Sequence, residues 1–207
     1  MASSDLTNIY TASGEREMRD AYDAWAARYD EDVVSQGYIT PARVARALAR
    51  FVGPDAPAVL DYGCGTGLSG EALRQVGFDT IDGADLSRKM LDIAQARGVY
   101  RELRLVEPEA PLAPELGQYK AIAAAGVISK GAAPASLYRE MLEAVQPGTK
   151  LAFSINDLSM ADPDYAGLVE QSIDAGKVAL LFEEHGDHLP QYADNAGSTV
   201  YVVDRLG

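Results

Sequence analysis

The residues best suited to chemistry are Asp61-Tyr62-Gly63-Cys64-Gly65-Thr66-Gly67, a glycine-rich run directly after the apolar Ala58-Val59-Leu60. Glycine permits tight turns and lets a ligand approach the backbone, so a strand, glycine loop and helix in succession read as a nucleotide cradle. Asp85 follows 20 positions after Gly65, at the end of the next apolar run. A carboxylate there can accept hydrogen bonds from both hydroxyls of a ribose. Gly65-Thr66-Gly67-Leu68-Ser69-Gly70 also fits the dinucleotide pattern G-x-G-x-x-G, which keeps an NAD-binding oxidoreductase open. Asp61 speaks against it. A carboxylate beside the glycines repels a pyrophosphate but suits a ligand carrying an ammonium and a sulfonium. The chain contains no G-x-x-x-x-G-K-[ST], which excludes a P-loop, and no Tyr-x-x-x-Lys pair, the usual proton donor of a short-chain dehydrogenase.

Chemistry outside the loop is sparse. Cys64 is the one cysteine, so no internal disulfide can form, and it reads as a small loop residue rather than a reactive thiol. Glu183-Glu184-His185-Gly186-Asp187-His188 carries an H-x-x-H spacing on what reads as a loop. That spacing alone is a weak metal signal, and no metal is expected. His185 and His188 are better candidates for a general base, because histidine titrates in the useful range. A hairpin of the last two strands would bring them to the same sheet end as the glycine loop.

These groups need elements to hold them. Gly14 to Tyr29 carries Met18, Ala21, Tyr22, Trp25, Ala26 and Tyr29 at helical spacing, and Thr40 reads as the N-cap, with Pro41 in the first turn, of a second helix that stops at Gly53. Beyond it, strands alternate with helices. The strands are Ala58–Leu60, Thr80–Ala84, Leu103–Val106, Lys120–Ser129 and Lys150–Ile155. The helices follow Gly67, Ser87, Pro134 and, after the fifth strand, Tyr165. Two more strand-like runs, Val178–Phe182 and Thr199–Val203, end the chain. The alternation predicts a doubly wound, mostly parallel sheet of seven strands with an antiparallel strand near the C-terminal edge. We expect one structural domain, with residues 1–53 as an N-terminal helical lid segment and 54–207 as the ligand-binding domain.

A chain of 207 residues with 47% hydrophobic and 24% charged residues can bury a full core. Its net charge of −13 repels a phosphate backbone, so a nucleic-acid partner is not expected. No uncharged run is long enough to span a bilayer, and Met1-Ala2-Ser3-Ser4-Asp5 lacks the pattern of a signal peptide. These points lead to an expectation of a cytoplasmic protein without a membrane partner. They say nothing of its oligomeric state.

Val59-Leu60-Asp61-Tyr62-Gly63-Cys64-Gly65-Thr66-Gly67 resembles the first motif of class I S-adenosylmethionine-dependent methyltransferases, and Gly83-Ala84-Asp85-Leu86-Ser87-x-x-Met90-Leu91-x-x-Ala94 resembles the segment after it. Tyr22-Asp23-x-Trp25-Ala26-x-x-Tyr29-Asp30 is similar to the Williams–Beuren-region methyltransferase-like proteins and their bacterial relatives. The resemblance implies a Rossmann-like fold and S-adenosylmethionine as cofactor, with S-adenosylhomocysteine as product. It implies that Gly63, Cys64, Gly65 and Gly67 line the methionine part, that Asp61 faces its amino group and that Asp85 binds the ribose. Leu86 and Met90 would flank the adenine, Glu107 would approach its amino group, and Gly126 and Val127 would floor the site. Tyr22, Trp25 and Tyr29 would close over it. Ala125-Gly126-Val127-Ile128-Ser129 stands where amino-methylating enzymes carry N-P-P-Y. A small-molecule acceptor methylated on oxygen, nitrogen or sulfur is the expectation. A binder of S-adenosylmethionine without turnover and an NAD oxidoreductase remain alternatives.

Overall fold

The computed structural model describes residues 9, 14–53, 58–108, 112, 116–192 and 195–207. Met1–Asp5 and the boundary at residue 54 therefore lie outside the described residues. The chain order is α1 (Glu15–Ser35), α2 (Thr40–Ala49), β1 (Val59–Tyr62), α3 (Leu68–Gln75), β2 (Ile81–Asp85), α4 (Arg88–Arg97), β3 (Glu102–Leu105) and β4 (Ala121–Ala124). It continues through α5 (Ser136–Ala144), β5 (Lys150–Asn156), α6 (Asp157–Met160), α7 (Leu168–Asp174), β6 (Val178–Asp187) and β7 (Gly197–Arg205).

The strands form one seven-stranded sheet in the order β3-β2-β1-β4-β5-β7-β6. β1 to β5 run parallel, and β7 runs antiparallel to both β5 and β6. The expected fold class holds, including the antiparallel strand next to the C-terminal edge. The strand order reverses between β1 and β4, which is where wound sheets of this kind open a crevice at their carboxyl ends.

Alternation along the central strands feeds two apolar layers. Leu60, Ile122, Ala124, Leu151 and Phe153 face α5 and α7, while Val59, Ala121, Ala123 and Ala152 face α2 and α3. Phe153 is fully buried and packs its ring against Tyr138 of α5 at 5.0 Å and Tyr201 of β7 at 5.4 Å. α2 thus belongs to the core layer, and among the described residues of segment 1–53 it is α1 that covers the sheet's carboxyl end.

Three local readings change. Thr40 is not a helix cap: it lies inside α2, and its hydroxyl turns to His188 Nδ1 at 2.7 Å. β4 stops at Ala124 rather than Ser129, because Gly126 adopts a φ of 72° and turns the chain. Glu183–Asp187 is not a loop but the second half of β6, paired along its length with β7. Exposed polar side chains along an edge strand mimic a loop in sequence, since only one side of the backbone ladder is paired.

Phe153→Ala removes the ring that joins α5, β5 and β7. We expect it to lower unfolding stability by roughly 3–5 kcal/mol, read from urea titration. A loss below ~1 kcal/mol would mean that the aromatic stack is not a principal contact of the core.

Candidate cofactor and active site

A cavity of about 610 Å³ opens at the carboxyl ends of β1, β2 and β4, beneath α1. Gly63 and Gly65 form one wall, Asp85, Leu86 and Met90 a second, and Gly126 and Val127 a third. Tyr22 and Tyr29 close it from α1, and the exposed Glu107 stands at its rim. These ten residues, all expected at the site, are brought together around one space.

Four expected residues stand back from it. Gly67 and Cys64 are buried in the turn below the loop, and burial raises the Cys64 thiol pKa. That supports the reading of Cys64 as a packing residue. Asp61 is fully buried: its Oδ2 accepts hydrogen bonds from Ser69 at 2.6 Å and Tyr100 at 2.7 Å. Its Oδ1 has no partner among the described residues. Trp25 is 1% exposed, donates through Nε1 to Asp32 at 2.7 Å and packs edge-on against Tyr29 at 4.7 Å. It supports the cavity wall from behind.

The two glycine turns are shaped for a ligand. Gly63 has a φ of 71°, and a Cβ there would overlap the side chain of Val127. Only glycine lets the β1 and β4 ends meet so closely. At Gly65 the space in front of the backbone is open. Asp85 fixes the geometry between the turns. One carboxylate oxygen accepts from the Gly65 amide at 2.8 Å and the other from the Ser87 amide at 2.8 Å. Burial raises its pKa while those two amides pull it down. Each oxygen keeps a second lone pair for a ribose hydroxyl. Ser87 in turn caps α4, accepting from the Met90 amide at 3.1 Å, which sets Met90 against the cavity.

α1 is tied down by two carboxylates that were not among the expected site residues. Asp23 accepts from the Ser87 hydroxyl. Asp30 accepts from the Thr66 hydroxyl at 2.5 Å and pairs with Arg97. Arg97 also donates to the Thr66 carbonyl at 2.5 Å and meets Glu71 at 2.7 Å. The signal was present in sequence: Tyr22-Asp23 recurs as Tyr29-Asp30 seven positions on, two helical turns that align both pairs on one face.

The two histidines part company. His185 is exposed and its Nε2 meets Asp157 at 2.9 Å. His188 is buried beside Tyr38, and burial pushes its pKa down to about 4, with Arg43 adding to the shift and Asp157 opposing it. Its ring is neutral at pH 7. Among the described residues no group of three or more His, Cys, Asp or Glu could hold a metal ion.

A model of the family described as methyltransferase domain matches residues 36–199, most of the chain. The protein belongs to this methyltransferase family. It is 32% identical to human methyltransferase-like protein 27 over 188 residues, covering 89% of this chain and 71% of that one. A ubiquinone biosynthesis O-methyltransferase of Bordetella avium is 36% identical over 100 residues, 46% of this chain and 41% of the relative. Magnesium protoporphyrin IX methyltransferase of Synechocystis, solved with S-adenosylmethionine bound, shares the fold with a TM-score of 0.62 at 16% identity, covering 99% and 92% of the two chains. This methyltransferase depends on S-adenosylmethionine. The cavity fits that group: an open glycine turn, a carboxylate with free lone pairs and an apolar wall from Leu86 and Met90 stand together.

Two measurements check this geometry. Folding raises the pKa of Asp61 from 3.8 to about 6, chiefly through burial. Between those values the folded chain binds more protons than the unfolded one, so this residue's contribution to stability falls as pH rises through the window. Asp61→Asn keeps an oxygen for Ser69 and Tyr100, and we expect it to be the more stable protein at pH 8 by up to about 3 kcal/mol, with the gain fading toward pH 4. Equal urea midpoints at pH 8 would disprove this. Asp30→Asn should loosen α1, red-shifting the emission of Trp25 and speeding proteolysis between Gly14 and Gly37. Adding S-adenosylhomocysteine should reverse both effects, and cleavage no faster than wild type would remove the clasp role.

Proposed function

We propose that the acceptor is a small molecule, methylated in the cavity between the glycine loop and α1. One observation carries this reading: the cavity, about 610 Å³, is roofed by α1 and lies within the range of roughly 300–1,000 Å³ that small-ligand sites occupy. The net charge of −13 adds to it, because a long phosphate backbone would meet repulsion on approach. The O-methyltransferase named for ubiquinone biosynthesis supports an oxygen acceptor.

When bound, S-adenosylmethionine supplies a methyl group on a positively charged sulfur that leaves with the bonding electrons once an acceptor atom displaces it. The chain's own residues then have three tasks. Asp85 holds the ribose hydroxyls, Leu86 and Met90 enclose the adenine, and Glu107 reaches its amino group from the rim. Gly63, Gly65 and Gly126 present backbone to the methionine part, and Asp61 adds negative charge beneath the loop for the amino group. Tyr22 and Tyr29 exclude water from above, and exclusion of water strengthens every electrostatic contact inside. The Tyr29 pKa is raised well above its ordinary value by burial, so its hydroxyl stays protonated and can donate to the cofactor carboxylate. Positioning and desolvation supply much of the rate in such a site, and a general base is not required.

Among the described residues no helix is long and apolar enough to cross a membrane.

S-adenosylhomocysteine at one hundred times its Kd should stabilise the fold by about 2.7 kcal/mol and raise Tm by roughly 5–10 °C. Methyl-labelled cofactor incubated with a cell extract should then pass its label to the small-molecule fraction. Label in RNA or protein would overturn the acceptor class. Binding without any labelled product would favour a cofactor-binding regulator instead.

A further inference from the structure

Beside the main cavity lies a smaller one of about 40 Å³, and the two share Tyr22, Tyr29 and Gly126 as walls. That space suits one or two groups the size of water. Gly126 has a φ of 72°, and a Cβ there would stand 2.5 Å from the Tyr38 hydroxyl, so the close approach of Tyr38 to this shared wall depends on glycine. Much of the side-cavity wall is aromatic or aliphatic. Two of its polar side chains, His188 and Asn156, are buried and held in fixed orientations.

Hydrogen-bond bookkeeping fixes which atoms these two residues offer. Asn156 Oδ1 accepts from the Ser159 amide at 2.9 Å and from the Ser159 hydroxyl at 2.6 Å. An amide N–H can only donate, so the Asn156 oxygen is identified and its NH₂ group is the end without a partner among the described residues. The His188 network begins at Arg43, which also can only donate and does so to Ser198 Oγ at 3.0 Å. Ser198 is fully buried, and among the described residues the acceptor near its own hydrogen is Thr40 Oγ1 at 3.3 Å. Thr40 Oγ1 lies 2.7 Å from His188 Nδ1. Donation in the order Arg43, Ser198, Thr40, His188 gives every hydrogen an acceptor, whereas the reverse leaves the buried Ser198 hydrogen unpaired, which is costly. Nδ1 therefore accepts, and Nε2 carries the ring proton. Among the described residues that N–H has no partner.

The charges nearby are already engaged. Asp157 is bonded to His185 at 2.9 Å, and Lys130 Nζ is paired with Asp162 at 2.6 Å. Two neutral donors thus line one small space.

We propose that this side cavity is an oxyanion subsite, in which His188 Nε2–H and Asn156 Nδ2–H hold the anionic oxygen of a carboxylate or phenolate acceptor next to the cofactor cavity. The inference rests on the methyltransferase reading of the main cavity and names the substrate class for it. Neutral donors orient an anion without cancelling its charge, and the positive charge of the cofactor supplies the counterion. An acceptor that arrives ionised has no proton to lose. The low pKa of His188, which makes it a poor base, keeps it a neutral donor across the working range. The aromatic walls Tyr22, Tyr29 and Tyr38 favour a planar body behind the charged group.

The test uses the full chain saturated with S-adenosylhomocysteine, whose own binding is measured first by calorimetry. Failure of that binding would sink the cofactor reading, separately from this one. Benzoate, 4-nitrophenolate and the neutral control benzyl alcohol are then titrated. At least one anion should bind ten-fold or more tightly than the alcohol, and the better of the two identifies a carboxylate or a phenolate source. Asn156→Asp keeps the oxygen that bonds Ser159 but replaces the donor with a carboxylate, and it should abolish the preference while leaving S-adenosylhomocysteine affinity within two-fold. His188→Gln, which retains an N–H, should keep most of the preference, and His188→Ala should lose it. In wild type, the Nε2–H proton of His188 should move downfield in NMR spectra on adding the anion. Equal affinity for the three probes, no binding of any, or a preference that survives both Asn156→Asp and His188→Ala would overturn the subsite.

Discussion

Asp85 stands at the end of β2 with each carboxylate oxygen held by a backbone amide, one from the glycine loop after β1 and one from the turn into α4. A carboxylate that bridges two loops in this way fixes their separation more firmly than either loop could alone, since charge-assisted hydrogen bonds are short and strong. The consequences spread outward. The Gly65 turn is held open above the cavity, Ser87 is placed to cap α4, and the same serine offers its hydroxyl to Asp23 on α1. The glycine loop, the cavity wall at α4 and the roof all refer back to that one group.

The roof is an unusual mixture of apolar packing and ionic attachment. Trp25, Val33 and Leu189 form a small cluster of their own, distinct from the two layers that cover the sheet. A cluster of that size contributes little compared with the main core, so the helix relies on Asp23 and Asp30 to stay seated. Arg97 is the common partner on the far side, joined to Asp30, to Glu71 and to the carbonyl of Thr66. Polar attachments in a partly solvated site release more readily than a packed face, which is compatible with the lid role expected for α1.

Methyl transfer asks little of the protein in the way of acids and bases, and the site reflects this. The titratable groups around the cavity are arranged to stay neutral or to hold structure: His188 is driven to low pKa, the half-buried Tyr29 to high pKa, and Asp61 is bonded from two sides. A fold shared by many enzymes does not choose an acceptor. In the proposed reading, the choice lies in the walls that α1 and the ends of β4, β5 and β6 bring together.

By itself the sequence determined the order of strands and helices, the glycine loop and Asp85 as its partner, and it favoured S-adenosylmethionine over NAD as the ligand. These features are local: a turn with positive φ needs glycine where it stands, and a strand buried on both faces is apolar along its length. Tertiary structure decided what local pattern could not. Trp25 and Tyr29 share one helix face, yet only packing against Asp32 and Leu189 shows that Trp25 lies behind the wall and Tyr29 in it. Glu183–Asp187 looked like a loop because pairing with β7 spans residues far apart in the chain. Thr40 looked like a cap because its partner, His188, is 148 positions away. The tautomer of that histidine depends on Ser198 of β7 and on Arg43, one turn beyond Thr40 on the same face of α2. Long-range hydrogen bonds have no period to read, so only the folded chain could reveal which nitrogen is bonded to Thr40.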